Sequence, residues 1–309
     1  MLVTYNRSEL LLRGLEALAR QTRLPDALVI VDNHSTDDTA EVLASVAAGH
    51  QFTKLDVVSM SENTGGAGGF GTGMKRALEM GTDWVWLMDD DVAPDSRCLE
   101  IMLGFRHVSE CIHPQRFGPD GRPQPWEPTI SVATGTTTFL DNVSFANGKE
   151  ITFTNVACFE GALVSARVIE LVGYPDPSYF IVGDDTVFGI KASVHTNIVI
   201  ARDAHIHRLL PMTSFAPWKV YYLARNAFMV RTDACAYLGI TPTRVNNIVF
   251  GLNLALEASR HVRRGREFIP PVLRGFRDGI SYARAHPASR QRRARRNEGS
   301  PTDEQETTT

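Results

Sequence analysis

The apolar residues of the first ninety positions fall by turns into short runs and into helical spacing. A very short apolar run ends at Val3. Leu11, Leu15, Leu18 and Ala19 then share one helical face, with Ser8 as the expected N-cap and Pro25 beyond the end. Residues 28–31 form an apolar run of the buried-strand kind. A second helix is predicted over 37–48, a third strand over 55–58, a third helix over 70–80 and a fourth strand over 84–88. This β-α-β-α-β-α-β order predicts an α/β fold with a mostly parallel twisted sheet and right-handed crossovers.

Each strand runs into polar residues. These are Thr4, Tyr5, Asn6 and Arg7 after the first, Asp32 and Asn33 after the second, and Glu62 to Gly66 after the third. Asp89, Asp90 and Asp91 follow the fourth. In an open parallel sheet all these carboxyl ends lie along one edge, where ligands bind. Only three residues precede Thr4, which is short for a central strand and points to missing upstream residues or a misassigned start.

Beyond residue 110 the pattern weakens. Pro114, Pro119, Pro123, Pro125 and Pro128 mark an irregular, substrate-side segment over about 110–150. Residues 161–172 fit a helix, 197–201 a strand, and helices dominate from Pro217 onward. The expected organisation is a catalytic domain over 1–215, with a nucleotide-binding half to about 110 and an acceptor-binding half from about 111. A helical, arginine-rich region over 216–290 and a disordered tail over 291–309 follow.

The 309 residues are 43% hydrophobic and 22% charged, ordinary values for a globular chain. No stretch is apolar enough to cross a membrane, and no secretory signal is visible. Cys98, Cys111, Cys158 and Cys235 are widely scattered, without zinc or redox spacing, so reduced thiols and a cytoplasmic setting are expected. The net charge of -3 hides twelve arginines between 260 and 296, set against Glu267 and Asp278 alone. With Phe268 to Leu273 and Phe276 among them, these arginines fit docking on the anionic inner face of a membrane. No nucleic-acid motif accompanies them.

Asp89, Asp90 and Asp91 carry the strongest chemical signal. Adjacent carboxylates repel unless a cation compensates, and oxygen ligands at a sheet edge suit Mg²⁺ or Mn²⁺. The alternative is a solvated acidic turn. Asp32 suits a uracil or ribose contact, or a turn before the second helix. Arg7 suits a diphosphate or base edge. Asn63, Gly65 and Gly66 open a glycine-rich helix start that allows close backbone approach to an anion. Its place after strand three argues against a dinucleotide-binding dehydrogenase. Asp184 and Asp185 are a candidate catalytic pair, Asp185 ahead, because neighbouring carboxylates raise one another's pKa toward that of a base. Helix capping is the other reading. His205 and His207 are expected to point to opposite faces, with His207 the one at the site. Trp218, Tyr221, Tyr222, Arg225 and Asn226 read as a packed helix, with Arg225 a candidate acceptor or diphosphate contact.

In order over about 1–210, Thr4 to Arg7, Val31 to Asn33, Asp89 to Asp91 and Gly183 to Asp185 resemble glycosyltransferase family 2, inverting enzymes of the GT-A fold. More narrowly, Gln21 to Asp26, Asn63 to Phe70 and Asp83 to Asp91 are similar to the galactofuranosyltransferases that start or extend the galactan of arabinogalactan. The resemblance implies contacts to a UDP-sugar by Thr4, Asn6, Arg7, Asp32, Asn63, Gly65, Gly66, Asp89 and Asp90. It also implies a Mg²⁺ or Mn²⁺ site at Asp89, Asp91 and His207, and a base in the Asp184-Asp185 pair. The donor implied is UDP-galactofuranose and the acceptor a polyprenyl-diphosphate-linked saccharide, in cell-wall galactan synthesis. Homo-oligomerisation is left open. The rival expectations are a rhamnosyltransferase using dTDP-rhamnose, a non-catalytic nucleotide-sugar binder and a nucleotidyltransferase.

Overall fold

A computed structural model of the chain describes residues 1–49, 52–124, 126–140, 148–211 and 216–287. The expected disordered tail over 291–309 lies outside the described residues. The first sheet contains β1 (Leu2–Thr4), β2 (Leu28–Asp32), β3 (Leu55–Ser59) and, past the neighbouring β4 (Trp84–Trp86), β5 (Met88–Asp89). Its order is β3-β2-β1-β5 and every pairing is parallel. The crossovers are α1 (Ser8–Ala19), α2 (Thr39–Ala48) and α3 (Gly65–Glu79). Strand alternation divides the core. Leu2, Leu28 and Ile30 pack with Leu11, Leu15 and Leu18, while Val3, Val29 and Val31 pack with Phe70 and Met74.

Ser8 is not the N-cap of α1. Arg7 holds that position, and Ser8 is the first helical residue, its N–H given to Asp37 Oδ2 at 3.1 Å. The single fourth strand is also divided. β5 stays with β1, whereas β4 pairs antiparallel with β11 (Leu163–Ser165) of a second sheet. Residues 84–89 therefore join the two sheets.

The second sheet also holds β6 (Val92–Pro94), β7 (Cys111–Phe117), β10 (Ile151–Thr154) and β12 (Ile198–Arg208). It is mixed: β12 runs parallel to β7 and antiparallel to β10 and β6. α4 (Cys98–Gly104) packs beside it. The segment expected to be irregular thus contains β7 and a hairpin of β8 (Trp126–Ser131) and β9 (Thr136–Leu140). The helix expected from 161 begins only at α5 (Ala166–Val172), because 163–165 pair with β4 and β7.

α6 (Asp184–Ala192) lies between the sheets and the helical region formed by α7 (Pro217–Leu238), α8 (Arg244–Val262) and α9 (Ile269–Ala285). Gly239 ends α7 in the left-handed conformation, and a Thr243–Asn246 capping box starts α8. Among the described residues no helix is long and apolar enough to cross a membrane.

Candidate functional site

The carboxyl edge of the first sheet is organised around Asp90. Its Oδ2 accepts from Thr4 Oγ1 at 2.9 Å and Tyr5 N at 3.2 Å. Arg7 Nη1 bridges Asp90 Oδ1 at 2.9 Å and Asp91 Oδ2 at 3.0 Å. The loop after β1 is therefore tied to the acidic run 85 residues away. Beside it, Asp32 Oδ1 accepts Ser35 N at 3.0 Å. Asn6, at φ 51°, donates its N–H to Ser35 Oγ and accepts Thr36 N on its side chain at 2.7 Å.

Asn33 links the next loop. Its Nδ2 donates to Asn63 Oδ1 at 3.1 Å and Gly65 O at 2.9 Å, and its Oδ1 accepts Thr64 N at 3.0 Å. Asn63 Oδ1 also accepts Gly65 N at 2.8 Å. Gly65 has φ +72°, and a Cβ there would collide with the Phe180 carbonyl oxygen, which accepts Ala67 N at 3.1 Å. One N–H at the start of α3 is thus already bonded to the loop that leads into α6.

The second sheet adds a largely enclosed charge cluster. Glu160, between Phe159 and the left-handed Gly161, meets Arg116 at 2.7 Å and Arg208 at 3.4 Å. Burial pushes the Glu160 carboxyl up, and Arg116 and Arg208 more than offset it, so its pKa lies below the ordinary value. Glu160 acts on both acidic groups. Asp89 is held well above its ordinary range by burial first, then by Asp91, Glu160 and Asp90. The Asp185 carboxyl is raised by burial; Glu160 adds to the rise, while Thr186 and Arg116 oppose it. Thr186 N reaches Asp185 Oδ1 at 2.6 Å. From α7, Lys219 acts on the same cluster; burial and Arg7 push its pKa down, against Asp91 and Asp89.

Asp184 and Asp185 occupy the first turn of α6, where consecutive side chains diverge by about 100°. Asp185 shares the field of Glu160 and Arg116. Asp184 instead lines a cavity of about 400 Å³ with Asp176, Tyr179, Lys191, Asp233 and Tyr282. Burial and Asp185 push the Asp184 carboxyl up to about 8.

The family emerges from the first half of the chain. Residues 1–165 match the model for glycosyl transferase family 2. The chain belongs to glycosyl transferase family 2. It is 32% identical over 197 residues to galactofuranosyltransferase GlfT1 of Mycolicibacterium smegmatis, covering 60% of this chain and 61% of that one. The chain spans about three fifths of the length of the curated relatives it matches. Residues 1–349 of S. aureus TarS, in complex with UDP-GlcNAc, superimpose with TM-score 0.59 at 16% identity, covering 96% of this chain and 90% of that one. The mannosyltransferase PcManGT from Pyrobaculum calidifontis, in complex with GDP-Man and Mn²⁺, gives 0.55 at 17% identity, covering 97% and 79%. The fold is the GT-A fold of glycosyltransferases.

Within this family 2 chain the two histidines correct the expectation drawn from their spacing. Residues two apart on a strand share a face. His205 Nδ1 meets Asp95 Oδ2 at 3.3 Å and His207 Nε2 meets Asp95 Oδ1 at 3.0 Å. Arg208, the next residue on β12, bonds Glu160 instead. Both imidazoles thus meet the one Asp95 carboxylate, His207 through Nε2. Among the described residues no three His, Cys, Asp or Glu side chains gather to hold a metal. Asp89 and Asp91 by themselves fit two ligands of a divalent cation completed by phosphate oxygens. Burial raises Asp89 first, and the repulsion from Asp91 and Asp90 that adds to it is what such a cation would relieve.

Arg225 and Asn226 do not reach toward the acidic run. Arg225 Nη2 donates to Ser178 O at 2.6 Å and Tyr179 O at 3.0 Å, and Asn226 Nδ2 donates to carbonyls of the same loop. Among residues the sequence reading passed over, Glu160 had a usable signal: a charge within the apolar run 156–164.

Proposed function

We propose that the chain is an inverting, metal-dependent glycosyltransferase. It moves galactofuranose from UDP-galactofuranose to a polyprenyl-diphosphate-linked glycan in cell-wall galactan synthesis. The observation that carries this reading is the largely enclosed Glu160, paired with Arg116 at 2.7 Å and Arg208 at 3.4 Å, whose charge reaches both Asp89 and Asp185. A diphosphate site and a base for the acceptor then belong to one cleft. The likeness to the galactofuranosyltransferases supports the choice of sugar.

In this reading residues 1–215 form the catalytic domain, and the uridine sits along the loops of Asp32, Asn63, Gly65 and Gly66. Thr4 and Asn6 shape that pocket through Asp90 and Ser35. Asp89 and Asp91 would hold Mg²⁺ or Mn²⁺ together with the donor diphosphate, and the cation would supply positive charge against the leaving group. His207, whose Nε2 meets Asp95 Oδ1, is the further ligand of this set, with Asp95 orienting its ring. Arg7 and Lys219 supply further positive charge. Asp185 takes the acceptor hydroxyl proton as that oxygen attacks the anomeric carbon from the face opposite the diphosphate, which inverts the carbon. Asp184 is the second carboxylate of the pair, its own carboxyl pushed up to about 8 by burial and by Asp185.

The protein works at the inner face of the membrane, where a polyprenyl-linked acceptor resides. α8 supports this with an exposed apolar face of Val245, Ile248, Leu252 and Leu256, flanked by Arg260 and Arg263. A donor panel tests the proposal: UDP-galactofuranose, dTDP-rhamnose and UDP-glucose, each with Mn²⁺ and with EDTA. Mn²⁺-dependent turnover of UDP-galactofuranose is expected, and Asp91→Asn should remove the Mn²⁺-dependent part of UDP binding in calorimetry. Preference for dTDP-rhamnose, or equal turnover in EDTA, would sink it.

A further inference from the structure

The loop over 178–183 feeds directly into Asp184 and Asp185, and its backbone is strained. Phe180 has φ 63° and ψ -61°, and Gly183 has φ 92°. Val182 has φ 69°, an outlier for a β-branched residue. Conformations of this kind persist only where the surroundings over-determine them.

Here the surroundings are two residues of α7. Asn226, 1% exposed, donates through Nδ2 to Tyr179 O at 3.0 Å, Ile181 O at 2.9 Å and Val182 O at 2.7 Å. Three carbonyls share one amide group that carries two hydrogens. Arg225 Nε donates to Asn226 Oδ1 at 2.8 Å, and since arginine only donates, that bond fixes which end of the amide faces the loop. Arg225 also holds Ser178 O and Tyr179 O. On its far side the loop is seated on α3, where Phe180 O accepts Ala67 N and leaves room only for glycine at 65. The Phe180 ring stacks on Tyr222 at 5.1 Å.

We infer that Asn226, backed by Arg225, is a positioning residue. It locks the strained 178–183 loop, which is seated on the start of α3 through Phe180 and runs into α6, so that Asp185 and the glycine loop of α3 keep one geometry. Aspartate at 226 would turn three attractive contacts into repulsion between oxygens. The same charge and length at 225 as lysine would lose the planar fork that meets two carbonyls. The inference rests on the reading of Asp185 as base, and the test separates the two.

Asn226→Asp, Asn226→Ala, Arg225→Lys and Asp185→Asn are compared in the Mn²⁺-loaded full chain with UDP-galactofuranose. For the 225 and 226 variants kcat should fall at least about tenfold, while donor KM changes by less than about threefold. Amide exchange at Ala67 should accelerate in those variants and not in Asp185→Asn. Unchanged kcat, or a lost kcat with Ala67 still protected, overturns the inference. If Asp185→Asn keeps its turnover, the base reading fails, and Ala67 exchange still decides the positioning role. Thermal melts identify a variant that does not fold. In that event Arg225→Lys, which spares the buried amide, settles the matter.

Discussion

Glu160 and Arg116 form an ion pair at 2.7 Å in which each side chain is 13% exposed. Arg208 approaches the other carboxylate oxygen at 3.4 Å. Glu160→Gln leaves two guanidinium groups without their anion in a buried setting, a change that costs about 3 kcal/mol or more. Urea denaturation should register that loss. The pH dependence has a definite sign. The folded Glu160 carboxyl lies below its ordinary 4.5, so its contribution is present above that value and is lost as pH falls through the lower, folded one. A loss under about 0.5 kcal/mol, the level of exposed pairs, would mean that water screens the cluster.

Asp185→Asn should lower kcat by about 10²- to 10⁴-fold, the range for removal of a general base. UDP affinity should change little, because Asp185 lies outside the diphosphate set. The base works deprotonated, so kcat in the unmodified protein rises with pH through its folded pKa. Burial raises that carboxyl, hence the acidic limb should stand above the ordinary aspartate value of 3.8. A limb at or below 3.8 would reassign the base.

His113 is fully buried on β7, and burial, aided by Arg116, pushes its pKa down to about 3. The unfolded chain takes up a proton near pH 6.5 that the folded chain refuses. Stability should therefore fall on acidification from 6.5 toward 3, by about 1.4 kcal/mol per pH unit. His113→Phe should flatten this slope between pH 6.5 and 5 in urea titrations. Parallel slopes for the two proteins would contradict the assignment.

Val245, Ile248, Leu252 and Leu256 of α8 are between 56% and 67% exposed. Glu257 is the single acidic residue of that helix, and Arg260 pairs with it at 2.7 Å. The protein should sediment with vesicles containing anionic phospholipid and less with purely zwitterionic ones. Ile248→Glu combined with Leu252→Glu should reduce that binding at least about tenfold. If the double variant instead splits a dimer and leaves vesicle binding intact, a second copy covers this face.

Much of the first sheet was legible because its signals are local. Apolar runs at 28–31 and 55–58 and helical spacing at 11–19 need no distant partner to be read. The acidic run at the end of the fourth strand was visible for the same reason. The short strand 163–165 was not, since it becomes a strand only through pairing with β4 and β7, and its side chains fit a helical period equally well. The grip of Asp95 on both histidines was equally hidden, because the pairing of β6 with β12 brings together residues 110 and more positions apart.

By itself the sequence determined the α/β alternation, the polar loops at the carboxyl edge, and the carboxylates at 89–91 and 184–185, because residue type and short-range period carry these. The tertiary structure decided which of those groups share a field. Glu160 acts on both Asp89 and Asp185, while Asp184 turns into a separate cavity. Asn226 grips three carbonyls more than forty residues away. Charge interaction and hydrogen bonding depend on distance in space, and only the packing of two sheets and α7 sets that distance.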